Sequence, residues 1–501
     1  MKGKKVSQRQ IKLYYRNVLA EVIGYEHGIT DQQWADLAAK VKPLIPVIAE
    51  EIRGYKRDPD IDITKTVYGT LPGNTDIARD VKVRAEQLKG RCENLVVLGI
   101  GGSALGNIAL QTALNPYMYN LDEKQRRGCP RLFVFDNVDP AQLSSFLNWL
   151  GDGLNRTVFN VISKGGQAAE TVAQFLIIQE MLVNKYGQKS LAERIVVTTG
   201  FDTDENGVFK SSLYRIAKGA RPELPLLEVP KDVGGRFSVL SAVGLFSAAM
   251  CGIDIDSLLA GARDMDERVS CKDFYKNPAA IIAAINYHFY DQGKTVSVMM
   301  PYSYALKDWA DWYRQLWAES LGKSVDLDGN EVHIGPTPVK ALGATDQHSQ
   351  VQLYREGPND KLFTFLQVEN FDDDPVIGPA PDCAPELGYL TGKKLSDLLN
   401  SEKKATEYAL LENKRPCLTL LFEQVNEYTI GQFIYLYEVT TSIAGALFGI
   451  NPYDQPAVEL GKEATFALMG KQGMYEAEKI TYEEFAGRIR SRTKTDLDYL
   501  V

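Results

Sequence analysis

Short apolar β-rich runs alternate with longer helical stretches along this chain, pause, and alternate again. That pattern predicts an α/β protein of two doubly wound, mainly parallel-sheet domains with helical N- and C-terminal arms. Two further observations support the prediction. The strand candidates are almost continuously apolar, as expected of strands covered by helices on both faces. Gly/Ser-rich turns also follow two of the strands and lead straight into helices, as in a parallel crossover.

Taken in order, Thr30-Asp31-Gln32-Gln33 is a capping box that opens an amphipathic helix. Its predicted buried face is Trp34, Leu37, Val41, Leu44, Ile45 and Ile48. Residues 53–73 read as irregular, and a second helix runs from Asp76 to Leu88 and stops at Gly90. The first set of strands is Leu95–Leu98, Leu132–Phe135, Val158–Ile162 and Ile195–Thr198. The same grammar restarts after Pro230 with Thr295–Met300, Leu362–Leu366 and Leu418–Leu421. Architecture repeats between the halves; sequence does not. Asp308 to Leu321 reads as a helix stopped at Gly322, and Thr481-Tyr482-Glu483-Glu484 caps the last helix.

Composition bounds the function. At 501 residues, 45% apolar and 24% charged, the chain is long enough for two or three domains and has ordinary globular character. A net charge of −9 argues against a nucleic-acid partner and leaves room for a local anion pocket. The six cysteines show no metal-ligand or CxxC spacing and read as reduced cytosolic thiols. The basic start Met1-Lys2-Gly3-Lys4-Lys5 is followed by no apolar leader, and no run is long enough to span a membrane. A soluble, cytoplasmic protein is expected.

The helix at 308–322 is the first candidate for chemistry. Trp312, Gln315, Leu316 and Glu319 fall on one face at helical spacing. A carboxylate among tryptophans and leucines would be poorly solvated, which raises its pKa toward that of a base working near neutrality. An ordinary amphipathic helix with Glu319 on its polar edge fits the same pattern.

Other motifs share this ambiguity. Gly99-Ile100-Gly101-Gly102-Ser103-Ala104-Leu105-Gly106 could cradle an anion at a helix start. It also fits a dinucleotide-binding GxGxxA turn, with Asp136 as a ribose partner. Ser163-Lys164-Gly165-Gly166-Gln167-Ala168-Ala169-Glu170-Thr171 repeats the arrangement after the third strand, and two such turns suit a phosphate better than one. Arg236, after the pair Gly234-Gly235, could stabilise a developing anion, or be a surface arginine in a linking loop. His348 is a candidate acid or base, or a solvated loop histidine. Lys462, after the turn Asn451-Pro452-Tyr453-Asp454-Gln455-Pro456, would by itself be one more surface lysine.

Together and in this order, these stretches resemble glucose-6-phosphate isomerase from about Gly99 to Lys462, with Asp232–Leu245 and Gly431–Lys462 similar to its two signatures. The resemblance implies two sugar-isomerase (SIS) domains in a homodimer with shared active sites, a sugar phosphate substrate and no cofactor or metal. It implies domain bounds of 1–60 for an N-terminal helical arm, 61–225 and 226–445 for the SIS domains, and 446–501 for a C-terminal helical segment. By the same resemblance Glu319 is the base that moves a proton between C2 and C1, and Arg236 stabilises the enediolate. His348, from the neighbouring subunit, and Lys462 open the sugar ring. Gly102, Ser103, Ser163, Lys164, Glu170, Thr171, Gln315 and Gln455 line the sugar and phosphate pocket. The second loop departs from the family's Ser-Lys-Ser-Gly-Thr-Thr pattern, because Gly165, Gln167 and Ala168 stand where hydroxyls are expected. That departure predicts weaker phosphate binding with the isomerising residues intact. Competing expectations are an isomerase of this fold with a drifted sugar preference, a non-catalytic sugar-phosphate sensor, and a dehydrogenase.

Overall fold

The computed structural model describes residues 10–55 and 63–495. The basic start and residues 56–62 of the irregular segment lie outside them. The chain divides into two compact units, Met1–Tyr453 and Asp454–Val501.

In the larger unit the strands are β1 (Lys12–Tyr14), β2 (Asn94–Leu98), β3 (Arg131–Phe135), β4 (Thr157–Ile162), β5 (Ile195–Thr199), β6 (Leu226–Glu228), β7 (Val296–Tyr302), β8 (Lys323–Val325), β9 (Glu331–Ile334), β10 (Thr337–Lys340), β11 (Lys361–Val368) and β12 (Cys417–Phe422). They build two five-stranded sheets, ordered β3-β2-β4-β5-β6 and β1-β12-β11-β7-β10, and a small β8–β9 hairpin. The first sheet is wholly parallel. The second is parallel except for β1, which runs antiparallel to β12 at its edge. Counting each sheet's parallel strands from its own first, both begin second, first, third, fourth, and the first sheet adds a fifth. This is a doubly wound order whose switch point lies between first and third, at β2/β4 and at β7/β11.

Alternation along the strands assigns the layers. Leu95 and Val97 of β2 join one large core with Met299 of β7 and Leu366 of β11. Val96, Leu98, Phe159 and Val161 face a separate cluster on the far side of the first sheet. Val298, Met300, Phe363 and Phe365 do the same for the second. Helices between the sheets fill the large core. The Glu427–Leu447 helix packs on Ile255–Val269 so closely that a Cβ on Gly431 would lie 1.9 Å from the Leu258 carbonyl oxygen, and one on Gly261 1.8 Å from that of Tyr428. Only glycine permits that backbone contact.

The seven predicted strands are present, as are the helices Thr75–Lys89 and Lys307–Leu321, the latter with Gly322 at its C-cap. One expectation fails. The helix opened by the Thr30/Gln33 capping box ends at Val41, and Leu44–Glu51 is a separate helix. Pro43 between them has no N–H to continue the ladder and its ring crowds the preceding turn. Trp34 is only partly buried, stacked on Tyr15 and edge-on to Phe274.

The smaller unit holds the helices Glu459–Leu468 and Tyr482–Arg492 and a ribbon of β13 (Met474–Tyr475) and β14 (Ile480–Thr481) around Ala467, Tyr475, Tyr482 and Phe485. Thr481 and Glu484 form the expected capping box. Among the described residues no helix is long and apolar enough to cross a membrane.

Candidate active site

Arg236 lies in the single turn Gly235–Phe237, and its side chain is 2% exposed. The guanidinium is fixed on several sides. Nε donates to Ser320 Oγ at 2.7 Å, Nη2 donates to the Pro452 carbonyl at 2.6 Å, and Nη1 stands 3.5 Å from Glu319 Oε2. A surface linker arginine is therefore excluded. A rigid, desolvated cation beside a carboxylate suits stabilisation of an anion that forms during a reaction.

Glu319 sits two residues from the C-terminal end of the Lys307–Leu321 helix. Gln315, one turn earlier, donates from Nε2 to Glu319 Oε1 at 3.3 Å, and its own Oε1 is buried with no partner among the described residues. Lys323 Nζ donates to the carbonyls of Glu319 and Ser320 and so closes the helix end. The expected burial of Glu319 among tryptophans is not met. Trp309, Trp312 and Trp317 point into the large core, with Trp309 and Trp312 against Phe433, while the Glu319 side chain is 35% exposed. Partial exposure to solvent suits a base that must reach a substrate.

The first glycine turn closes on this pair. A Cβ on Gly102 would come within 2.3 Å of the Gly235 carbonyl and 2.8 Å of Arg236 N, and one on Gly101 within 2.9 Å of Gln315 Nε2. These glycines bring the end of β2 against the arginine's own turn. Ser103 follows in the same turn, and its carbonyl accepts from Asn107 Nδ2.

The second turn is tied to the same loop. Lys164 Nζ donates to the Val233 carbonyl at 2.9 Å, three residues before Arg236. Burial pulls the Lys164 ammonium below the ordinary lysine range, opposed by Asp202 and Asp232. Thr199 Oγ1 donates to the Ser163 carbonyl at 2.6 Å and pairs with Ser211 Oγ. Gly166, at φ +65°, has no room for a Cβ beside Ser211. Glu170 and Thr171 begin the Ala169–Tyr186 helix, where Thr171 Oγ1 is buried with no partner among the described residues. Gly165 has open space around it, and Ala168 is an N-cap with no capping side chain.

His348 stands elsewhere on the large unit. It closes the turn Thr345–His348 after β10 and is itself exposed. Gln347 beside it donates to Tyr302 Oη, at the carboxyl end of β7, and to Glu402 O and Thr406 Oγ1. Lys340, at the end of β10, pairs with Asp311 and reaches Asp308. These two belong to the N-terminal turns of the Glu319 helix, and Glu319 lies about 12 Å of helix rise beyond Asp311. Lys462 and Gln455 belong to the Asp454–Val501 unit, where Lys462 Nζ pairs with Glu459 at 2.7 Å.

The structure thus gathers Glu319, Arg236, Gln315, Gly102, Ser103, Ser163 and Lys164 around one loop, Val233–Phe237. Ser320 and the Pro452 carbonyl, which fix the guanidinium, escaped the sequence reading. They lie 84 and 216 positions from Arg236, beyond any local pattern.

Comparison with known proteins gives the family. The family profile Phosphoglucose isomerase matches residues 81–481. A glucose-6-phosphate isomerase of Carboxydothermus hydrogenoformans is 46% identical over 397 residues, covering 79% of this chain and 83% of that protein. One from Rubrobacter xylanophilus is 40% identical over 461 residues, covering 92% and 98%. Among solved structures, a hypothetical protein of Thermus thermophilus aligns with a TM-score of 0.78 at 32% identity, covering 92% of this chain and 100% of that one. A glucose-6-phosphate isomerase of Chlamydia trachomatis shares the fold with a TM-score of 0.73 at 21% identity, covering 96% and 91%. The chain belongs to the phosphoglucose isomerase family.

Proposed function

We propose that this chain interconverts glucose 6-phosphate and fructose 6-phosphate through a cis-enediol, with Glu319 and Arg236 at the centre of the reaction. The observation that carries the reading is the fixed guanidinium 3.5 Å from a solvent-facing carboxylate, with two glycine turns leading to the same loop. The Glu319 carboxylate takes the proton from C2 and returns it to C1. Arg236 stabilises the negative charge that the enediolate oxygen acquires meanwhile, and its bonds to Ser320 and Pro452 hold it in place before the charge develops.

Phosphate is held at the start of the Ala169–Tyr186 helix, where free backbone N–H groups join Ser163, Lys164, the Thr171 hydroxyl and Ser103. Gly102 gives the sugar close access to the backbone, and Glu170 and Gln315 line the remainder. Lys462 and His348 open the ring. The separation of His348 from Glu319 within one chain supports a homodimer in which each site receives His348 from the neighbouring subunit. Six unpaired thiols suit work in the cytoplasm. A sensor or a drifted substrate is not favoured, because the relatives named glucose-6-phosphate isomerase cover most of the chain. Incubation with glucose 6-phosphate and assay of fructose 6-phosphate tests the reading; absence of conversion by folded protein contradicts it.

A further inference from the structure

A second concave site lies at the opposite edge of the first sheet, at the amino ends of its strands. It has a volume of about 490 Å³, within the range that takes a small molecule. Arg84 and Gln87 come from the Thr75–Lys89 helix, and Arg91 follows its end. Thr157 begins β4, and Arg194 immediately precedes β5. Glu193 is the one carboxylate in the lining, against three arginines.

The arginines are incompletely neutralised. Arg194 pairs with Glu193 at 2.9 Å, donates from Nε and Nη1 to the Asn155 and Ser190 carbonyls, and lies over the Tyr186 ring, which leaves Nη2 to meet a ligand. Arg84 donates to Gln87 Oε1 at 3.0 Å and has no carboxylate partner among the described residues. The Arg91 side chain has neither a hydrogen bond nor an ion pair among them. Burial lowers the pKa of Arg84 from its ordinary range, with no anion to offset the cost of its charge. Guanidinium groups converging on a cavity match the oxygens of phosphate or carboxylate groups. The protein's overall charge is −9, so this local excess of cations runs against the background.

We propose that this cavity binds a small, multiply charged oxyanion through Arg84, Arg91 and Arg194, separately from the candidate active site. The candidate active site uses the carboxyl ends of β2 and β4, whereas the cavity uses the amino ends of β4 and β5. A strand of five or six residues sets the two about 17–20 Å apart.

Calorimetric titration of the full chain with sodium pyrophosphate tests the site, with tricarballylate as a carboxylate arm. Each is run on wild type, on Arg84→Gln/Arg91→Gln, and on Lys164→Gln. The expected result is pyrophosphate binding that persists in Lys164→Gln, weakens about 10²-fold in the double variant and declines with added salt. Tighter binding of pyrophosphate than of tricarballylate assigns a phosphate ligand, and the reverse assigns a polycarboxylate. Both arginines reach the surface, so the double variant should melt with the wild type. Should it not, the exposed Arg91→Gln alone is expected to weaken binding about tenfold. No binding by wild type, equal binding by wild type and the arginine variants, or binding abolished by Lys164→Gln overturns the proposal.

Discussion

At the carboxyl edge of the first sheet, the turns after β2 and β4 close on the Val233–Phe237 loop and lead to Arg236, Gln315 and Glu319. At the same edge of the second sheet, the turn after β10 presents His348 to solvent. The two sheets are wound in the same order, so each has a switch point where a ligand could bind. What differs is the direction of the helix after β7. It starts at the carboxyl edge of the second sheet and carries Glu319 away from it, toward the glycine turns of the first. One winding thus yields an edge whose turns close on Arg236 and Glu319 and an edge whose histidine faces solvent away from them.

The largest expected effect removes the proposed base at the first edge. Glu319→Gln keeps the shape of the side chain but accepts no proton, so kcat should fall at least about 10²–10⁴-fold while substrate still binds. Wild-type-like washout of a C2 deuterium by this variant would move the base elsewhere. Next comes the cation. Arg236→Gln should lower kcat about 10²–10³-fold with a smaller change in KM, because the charge it meets exists chiefly in the transition state. A change confined to KM would make Arg236 a substrate anchor.

The second glycine turn should yield a smaller effect, and in binding alone. Gly165 has open space and Ala168 is an uncapped N-cap, so Gly165→Ser, Gln167→Thr and Ala168→Thr together should fit. We expect KM for glucose 6-phosphate to fall about tenfold at constant kcat, worth about 1.4 kcal/mol. An unaltered KM would place the grip on phosphate outside this turn.

The smallest effect separates the site from the core between the sheets. Glu438, on the Glu427–Leu447 helix, is fully buried, and neither carboxyl oxygen has a partner among the described residues. Burial holds its pKa well above the usual 4.5. While the group is protonated in both states its contribution to stability does not change with pH. As pH rises past the unfolded value, the unfolded chain releases its proton first and stability is lost up to the folded value. Glu438→Met should therefore stabilise the fold by about 1–3 kcal/mol. The gain in Tm should be larger at pH 8 than at pH 4, with kcat retained. Loss of activity in a stable variant would instead draw Glu438 into the site.

Much of this arrangement is legible in the sequence where one residue's surroundings are local. The seven predicted strands are apolar on both faces, which marks them without tertiary knowledge. β1, β6 and β10 escape notice because they are three or four residues long, and all three are edge strands that need less apolar surface. β10 even contains Pro338, which only an edge tolerates. The split at Pro43 was written in the chain, but the apolar periodicity carries across it. Glu319 was legible from its helix, but not its exposure, because periodicity cannot tell which side of a helix faces an opening. The anchoring of Arg236 depends on residues remote in sequence, and the placing of His348 depends on which way a helix runs between two sheets.

The comparison of the two edges is tested most directly by mixing two inactive variants. Glu319→Gln lacks the proposed base and His348→Ala lacks the proposed ring-opening group. If His348 serves the neighbouring subunit, a mixed dimer has one site with both defects and one with neither. Equal amounts, after random subunit exchange, should then recover about a quarter of wild-type activity, since half the dimers are mixed and each has one intact site. No recovery after demonstrated exchange would place His348 in the same chain's site as Glu319 and contradict the account.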